Sequence, residues 1–200
     1  MFRYPGTFND LLTYAEYNDL NTPAAWQYIR EHLDVEEMID WTILECWGGD
    51  KDVYENVRFY SSPDYKNNAV LYGLVDMDLC MYDRQTFAVG FESWPQLHAI
   101  IPRGLMYNPE FKDMFLTRLG QLLRNEMSDA AVRERIDALH DMVAPEAARD
   151  LQRWGLDGSY FQNNYQRLCS FTEGRAAEMM NAAKTYFGLT EEQAQKYFGG

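Results

Sequence analysis

Basic residues are scarce in this chain. Eighteen Lys and Arg stand against thirty-one Asp and Glu, for a formal net charge of −13. That balance excludes a general nucleic-acid binder, because counterion release needs clustered cations. The carboxylate excess reads mainly as solvated helix surface and solubility. Cysteine is equally sparse: Cys46, Cys80 and Cys169 are widely spaced, with no C-x-x-C pair and no nearby His partner. The spacing gives neither a zinc site nor a disulfide framework, and leaves three buried thiols. His32, His98 and His140 lie in separate elements without ligand spacing. No stretch approaches the ~20 apolar residues of a membrane span, and MFRYPGTFND lacks the apolar core of a signal peptide. No membrane span is therefore expected, and the compartment stays open. There is no G-x-S-x-G elbow, no G-x-x-x-x-G-K-[ST] loop and no H-E-x-x-H.

What the chain does have is core. Apolar residues make up 46% and aromatics 15% of 200 residues, far from a disordered composition. A chain of this size buries roughly 70% of its unfolded surface, so residues 1–200 read as a single domain. The pattern divides into a helical first third, a short β-rich middle and a long helical second half, which is an α+β, mainly helical fold class.

Local signals set the elements. Thr7 with Asp10 suits the start of a first helix with Leu11, Leu12 and Ala15 inward. Thr22–Pro23 restarts the chain as N-cap and first helical residue. Asp34 with Glu37 is a capping-box-like start for a helix carrying Val35, Met38, Ile39, Ile43, Cys46 and Trp47, ended by Gly48–Gly49. Asp50 to Glu55 reads as a polar loop, Asn56–Tyr60 as a strand, and Ala69–Val75 as a short, continuously apolar strand covered on both faces. Pairing them as a hairpin places the Asp50–Asn56 loop beside the Asp76–Asp78 end. Tyr82 to Arg103 reads as irregular. Asn108–Pro109 starts a helix with Phe111, Met114, Phe115, Leu119, Leu122 and Leu123 on one face. Ser128 caps another with Val132, Ile136, Leu139 and Val143, and Pro145 opens a third that ends at Trp154–Gly155. Further helices fit Ser159–Phe171 and Arg175–Phe187, with Thr190 and Gln193 capping a last one.

Two features stand out chemically. Asp76-x-Asp78 closes an apolar strand, where carboxylates need a cation, donors or solvent. Alternation puts both on one side of the chain, which suits shared coordination of Mg²⁺ or Mn²⁺. The second feature is Asp50 and Asp52 with Asn56. An Asp positions a hydroxyl for phosphoryl transfer, and an Asn a few residues on binds a metal ion.

Together these residues resemble the CotH family of atypical protein kinases, named for a spore coat protein. The family's core is an apolar helix, a Gly-Asn-x-Asp-Trp-like loop, an Asn-Asn pair leading into a strand, and a strand ending in Tyr-Asp-x-Asp. The corresponding residues are Ile39–Asp52, Asn56–Tyr60 and Val70–Asp78. Downstream, Asn108–Pro109–Glu110–Phe111, Ile136–Asp137, Pro145–Glu146, Arg153–Trp154 and Tyr186–Phe187–Gly188–Leu189 follow the family's order. The resemblance implies a protein-kinase-like C-lobe with a small β-hairpin at its active edge. It covers the C-terminal part of the family domain; the N-terminal lobe, with its phosphate-binding Lys, is absent from these residues. It implies ATP as nucleotide, Mg²⁺ or Mn²⁺ held by Asn56, Asp76 and Asp78, Asp52 as catalytic-loop Asp, and a coat or envelope protein as substrate. Spore coat or cell envelope would be the address.

The chain departs from the pattern in three places. Asp52 to Asn56 is four residues and Asp50 to Asn56 six, where kinase catalytic loops have five. Glu55 replaces the first Asn of the pair, and Cys80 stands where many members have Gly. A non-catalytic binding or scaffolding module built on the same lobe is the alternative function.

Overall fold

The computed structural model describes residues 6–51, 53–87 and 96–199. Helices dominate, and the described strands form a single two-stranded antiparallel sheet. By contact the chain divides into two compact units, Met1–Cys80 with Gln85–Leu119, and Met81–Arg84 with Gly120–Gly200.

The first unit contains α1 (Gly6–Tyr17), α2 (Pro23–His32), α3 (Val35–Gly48), α4 (Val53–Asn56), β1 (Arg58–Tyr60), β2 (Leu71–Gly73), α5 (Gln96–Leu105) and most of α6 (Pro109–Arg124). Its helix starts follow local chemistry. Thr22 accepts the Ala25 N–H ahead of Pro23, and Asp34 accepts the Glu37 N–H at the start of α3. Asn108 Oδ1 accepts from the N–H groups of Glu110 and Phe111 at 3.0 and 3.2 Å. α1 already includes Gly6, so Thr7 stands inside the helix. Leu11, Leu12 and Ala15 are buried as the period requires.

The helix α3 is the axis of this unit. Its buried residues run around the helix, Trp41 and Thr42 included, and not along one stripe. Trp41 packs 4.8 Å from the Tyr72 ring, while Phe8 stacks on Phe59 at 3.7 Å. Side chains of this size each contribute roughly 1.5–3 kcal/mol when fully buried.

The hairpin forms with Arg58 opposite Gly73, Phe59 opposite Tyr72 and Tyr60 opposite Leu71. The other edge of β2 is bonded to the α2–α3 junction. Val70 donates to the His32 carbonyl at 2.8 Å, and Asp34 donates to the Val70 carbonyl at 2.9 Å. Tyr72 then donates its N–H to the Glu37 carboxylate at 2.7 Å. Glu37 thus serves the strand and not its own helix start, which is why the capping box expected at Asp34 is half made. Ala69 to Tyr72 are buried, but Leu74 and Asp76 are exposed.

Both strands are shorter than their apolar runs. A single helical turn, α4, takes up Val53–Asn56, so β1 starts at Arg58 and Asn56 lies in the turn, outside the strand. Residues beyond Gly73 consequently have no partner strand. The segment read as irregular up to Arg103 contains α5, whose Pro102 lies inside the helix; residues 88–95 lie outside the described residues.

The second unit contains α7 (Asp129–Trp154), α8 (Tyr160–Thr172), α9 (Arg175–Phe187), α10 (Glu191–Phe198) and the short segment Met81–Arg84. α7 runs through Pro145 without a break, so the two helices expected there are one. Leu139 and Val143, expected inward, are exposed. Thr190 and Gln193 make both bonds of a capping box at α10. Asp129 accepts from the backbone N–H groups of Gly174 and Ala176, at 2.7 and 2.9 Å, at the start of α9.

Met81–Arg84 is tied in at both ends. Arg167 donates to the Met81 carbonyl at 2.8 Å and lies 3.6 Å over the Tyr82 ring. Arg84 donates to the carbonyls of Ser170, Phe171 and Glu173, and pairs with Glu178 at 2.8 Å. Those are carbonyls that the end of α8 leaves without helical partners. The fully buried Arg175 shares Glu178 and stacks over Phe171.

Candidate functional site

The end of α3 turns back on itself. Gly49 adopts a left-handed φ of 61°, a conformation glycine takes without strain. Gly49 and Asp50 both donate their N–H to the Glu45 carbonyl, at 3.0 and 3.3 Å. This wrap lays Asp50 against the last turn of α3, next to the Glu45 side chain. From the other side comes Cys80, at the end of a 3₁₀ turn over Met77–Leu79, its N–H donating to the Met77 carbonyl at 3.2 Å. A carboxylate oxygen of Glu45, one of Asp50 and the Cys80 sulfur all lie within 4.8 Å of one another. The three residues are 3%, 4% and 9% exposed. Cys80 reaches this position because residue 48 is glycine: a Cβ there would stand 2.9 Å from Cys80 Sγ.

Electrostatics at this cluster run one way. Burial, then the Asp50 charge, then a hydrogen bond with the Asp50 carboxyl push the Glu45 carboxyl up to about 8. Burial, with the charges of Asp50, Glu45 and Asp78, pushes the Cys80 thiol well above its ordinary range. Desolvation disfavours the charged form of each group, and neighbouring negative charge adds to it.

Of the residues singled out in the sequence, Asp50 belongs to this cluster and Asp78 is near enough for its charge to act on Cys80. Asp52 lies outside the described residues. Asn56 is half-buried at the end of α4, two residues before the Arg58–Gly73 pair. Asp76 is exposed with a left-handed φ of 58°, and Asp78 is exposed in the 3₁₀ turn. The strand alternation that placed Asp76 and Asp78 on one side of the chain does not hold, because β2 ends at Gly73. Chain reach still confines them: Asn56 lies within ~7 Å of Arg58 and Asp76 within ~11 Å of Gly73 along an extended backbone. The loop after α3 and the turn after β2 do meet, through Asp50 and Cys80.

A family model described as CotH kinase protein matches residues 4–179. The chain belongs to the CotH kinase protein family. The match spans both compact units and includes the α3 end, the hairpin and the Asp76–Cys80 turn. Neither the curated proteins nor the solved structures yield a match. Among the described residues, no helix is long and apolar enough to cross a membrane.

Sequence reasoning missed Glu45. A signal for it was present. On a helix, residue 45 neighbours Trp41, Thr42 and Gly48 at three and four positions away, with no Lys or Arg there to pair. A carboxylate facing Trp, Thr and Gly on a strongly apolar helix is a buried acid in need of a partner.

Proposed function

We propose that these 200 residues are the C-terminal, metal-holding part of a CotH-type phosphotransferase that moves a phosphoryl group from ATP to a protein hydroxyl. The family match across residues 4–179 carries the reading. The chemistry of the donors supports it. Asp76 and Asp78 are exposed carboxylates and Asn56 offers an amide oxygen, the hard oxygen set that Mg²⁺ or Mn²⁺ takes. When bound, the ion neutralises charge on the nucleotide phosphates. In this reading Asn56, Asp76 and Asp78 orient the phosphates, and Asp52 accepts a hydrogen bond from the acceptor hydroxyl. Positioning of the phosphates is most of such catalysis, so transfer also requires a nucleotide-gripping sheet and a phosphate-binding Lys. The acceptor is a protein, of spore coat or cell envelope class by the chain's resemblance to the family.

A second reading, a non-catalytic binding module on the same lobe, is favoured by one observation. The left-handed Asp76 and the 3₁₀ position of Asp78 do not present the two carboxylates on one strand face. Calorimetric titration with Mn²⁺ separates the two. The phosphotransferase reading expects binding that the Asp76→Ala/Asp78→Ala double variant abolishes. Equal heats from the two proteins would overturn the metal assignment.

A further inference from the structure

We propose that Glu45, Asp50 and Cys80 form a second cation site, for a thiophilic divalent ion of the Zn²⁺ type, which fastens the end of α3 to the turn following Asp76 and Asp78. The site does not rest on the phosphotransferase reading. Its donors converge from two segments, the end of α3 and the turn that ends at Cys80, to within 4.8 Å of one another, all of them buried. Glu45 Oε2 is buried with no N–H or hydroxyl donor among the described residues, and the Asp50 carboxyl beside it can serve it only by sharing a proton. Gly48 supplies the clearance that seats the sulfur against α3.

The donor chemistry selects the ion. A thiolate with two carboxylates matches Zn²⁺, which takes sulfur at ~2.3 Å and carboxylate oxygen at ~2.0–2.2 Å. Tetrahedral placement at those lengths separates the donors by roughly 3.5 Å, so the cluster closes by little more than ~1 Å at its widest. Mg²⁺ and Mn²⁺ prefer six oxygen ligands and gain little from a thiolate. Three protein donors leave a fourth position for water. Binding sends the Glu45 and Cys80 protons to solvent, because only the ionised forms coordinate. Without an ion, the same cluster is a carboxyl pair sharing a proton beside a neutral thiol. That is the competing account. Spacing rules overlook the site because the donors stand at positions 45, 50 and 80.

The test is a Co²⁺ titration of the full chain after stripping with EDTA. The expected result is equimolar binding with a thiolate-to-cobalt charge-transfer band in the near ultraviolet, displaced by Zn²⁺. Cys80→Ser should abolish the band. Glu45→Gln, which keeps the side-chain shape and removes a buried acid, should weaken binding by more than the ~10–100-fold typical of losing an outer-shell partner. Thermal melts of the metal-free variants confirm that each is folded. Asp76→Ala/Asp78→Ala should keep the band, which separates this site from the all-oxygen site proposed above. Absence of the band, its persistence in Cys80→Ser, unchanged affinity in Glu45→Gln, or its loss in Asp76→Ala/Asp78→Ala would each overturn the proposal.

Discussion

Replacing Glu37 tests how the sheet is held to α3. The Glu37 carboxylate accepts the N–H of the fully buried Tyr72 at 2.7 Å. Burial, reinforced by the charges of Asp34 and Asp40 and opposed by the Tyr72 N–H, raises its carboxyl from 4.5 to about 7. Two variants divide these effects. Glu37→Gln keeps an oxygen that can accept the N–H but removes the titration, whereas Glu37→Ala removes both. Because the folded-state value lies above the unfolded one, the folded chain holds this proton more tightly. Its stabilising contribution is complete below pH 4.5 and is lost as pH rises through about 7.

The interval corresponds to a ceiling of roughly 3 kcal/mol. Glu37 keeps partial contact with water, which screens the charge, so about 1–2 kcal/mol is the expected size. Urea denaturation of wild type and Glu37→Gln should therefore agree near pH 4, with the variant more stable by that amount at pH 8. Glu37→Ala should fall below Glu37→Gln by about 1–3 kcal/mol at both values, the cost of an unsatisfied buried N–H. A wild-type-to-Gln difference that does not change with pH would refute the burial reasoning. Equal losses in Gln and Ala would refute the hydrogen bond.

Two further outcomes follow from the helix packing. Asn108→Ala removes the acceptor for two backbone N–H groups at the buried start of α6, and should cost about 1–2 kcal/mol in urea denaturation. A Cβ on Gly120 would collide with the Tyr197 carbonyl oxygen. Gly120→Ala should therefore destabilise by about 1–3 kcal/mol, with faster hydrogen exchange concentrated in α10.

Helix starts were legible in the sequence because their chemistry is local. Thr22, Asp34, Asn108, Ser128 and Thr190 each accept the N–H expected of a cap. Pro145 was misread as a helix start for the same locality, and Pro102 lay in a segment read as irregular. Pro102 and Pro145 each break one hydrogen bond and clash with one carbonyl, yet the flanking turns of α5 and α7 carry the helix through. The hairpin was visible as one alternating segment and one apolar run, but its register and the length of its strands were not. That length is set by the turn α4, whose four residues carry no strong signal of their own. The cluster of Glu45, Asp50 and Cys80 was hidden because it depends on a wrap in three dimensions, made by a left-handed Gly49 and a missing side chain at Gly48. The shared strand face expected for Asp76 and Asp78 does not form, because β2 ends at Gly73 and the chain turns there into a 3₁₀ segment.

The tie between Arg84 and the carbonyls at the end of α8 has a consequence for how the chain can be divided. The second unit takes Met81–Arg84 from early in the sequence and resumes only at Gly120. No cut at a single peptide bond releases it whole. A fragment beginning at Gly120 would leave the carbonyls of Ser170, Phe171 and Glu173 without their guanidinium, and Arg167 without Tyr82. During synthesis, Met81–Arg84 leaves the ribosome well before the helix it serves exists, so this unit cannot finish folding in the order in which it is made.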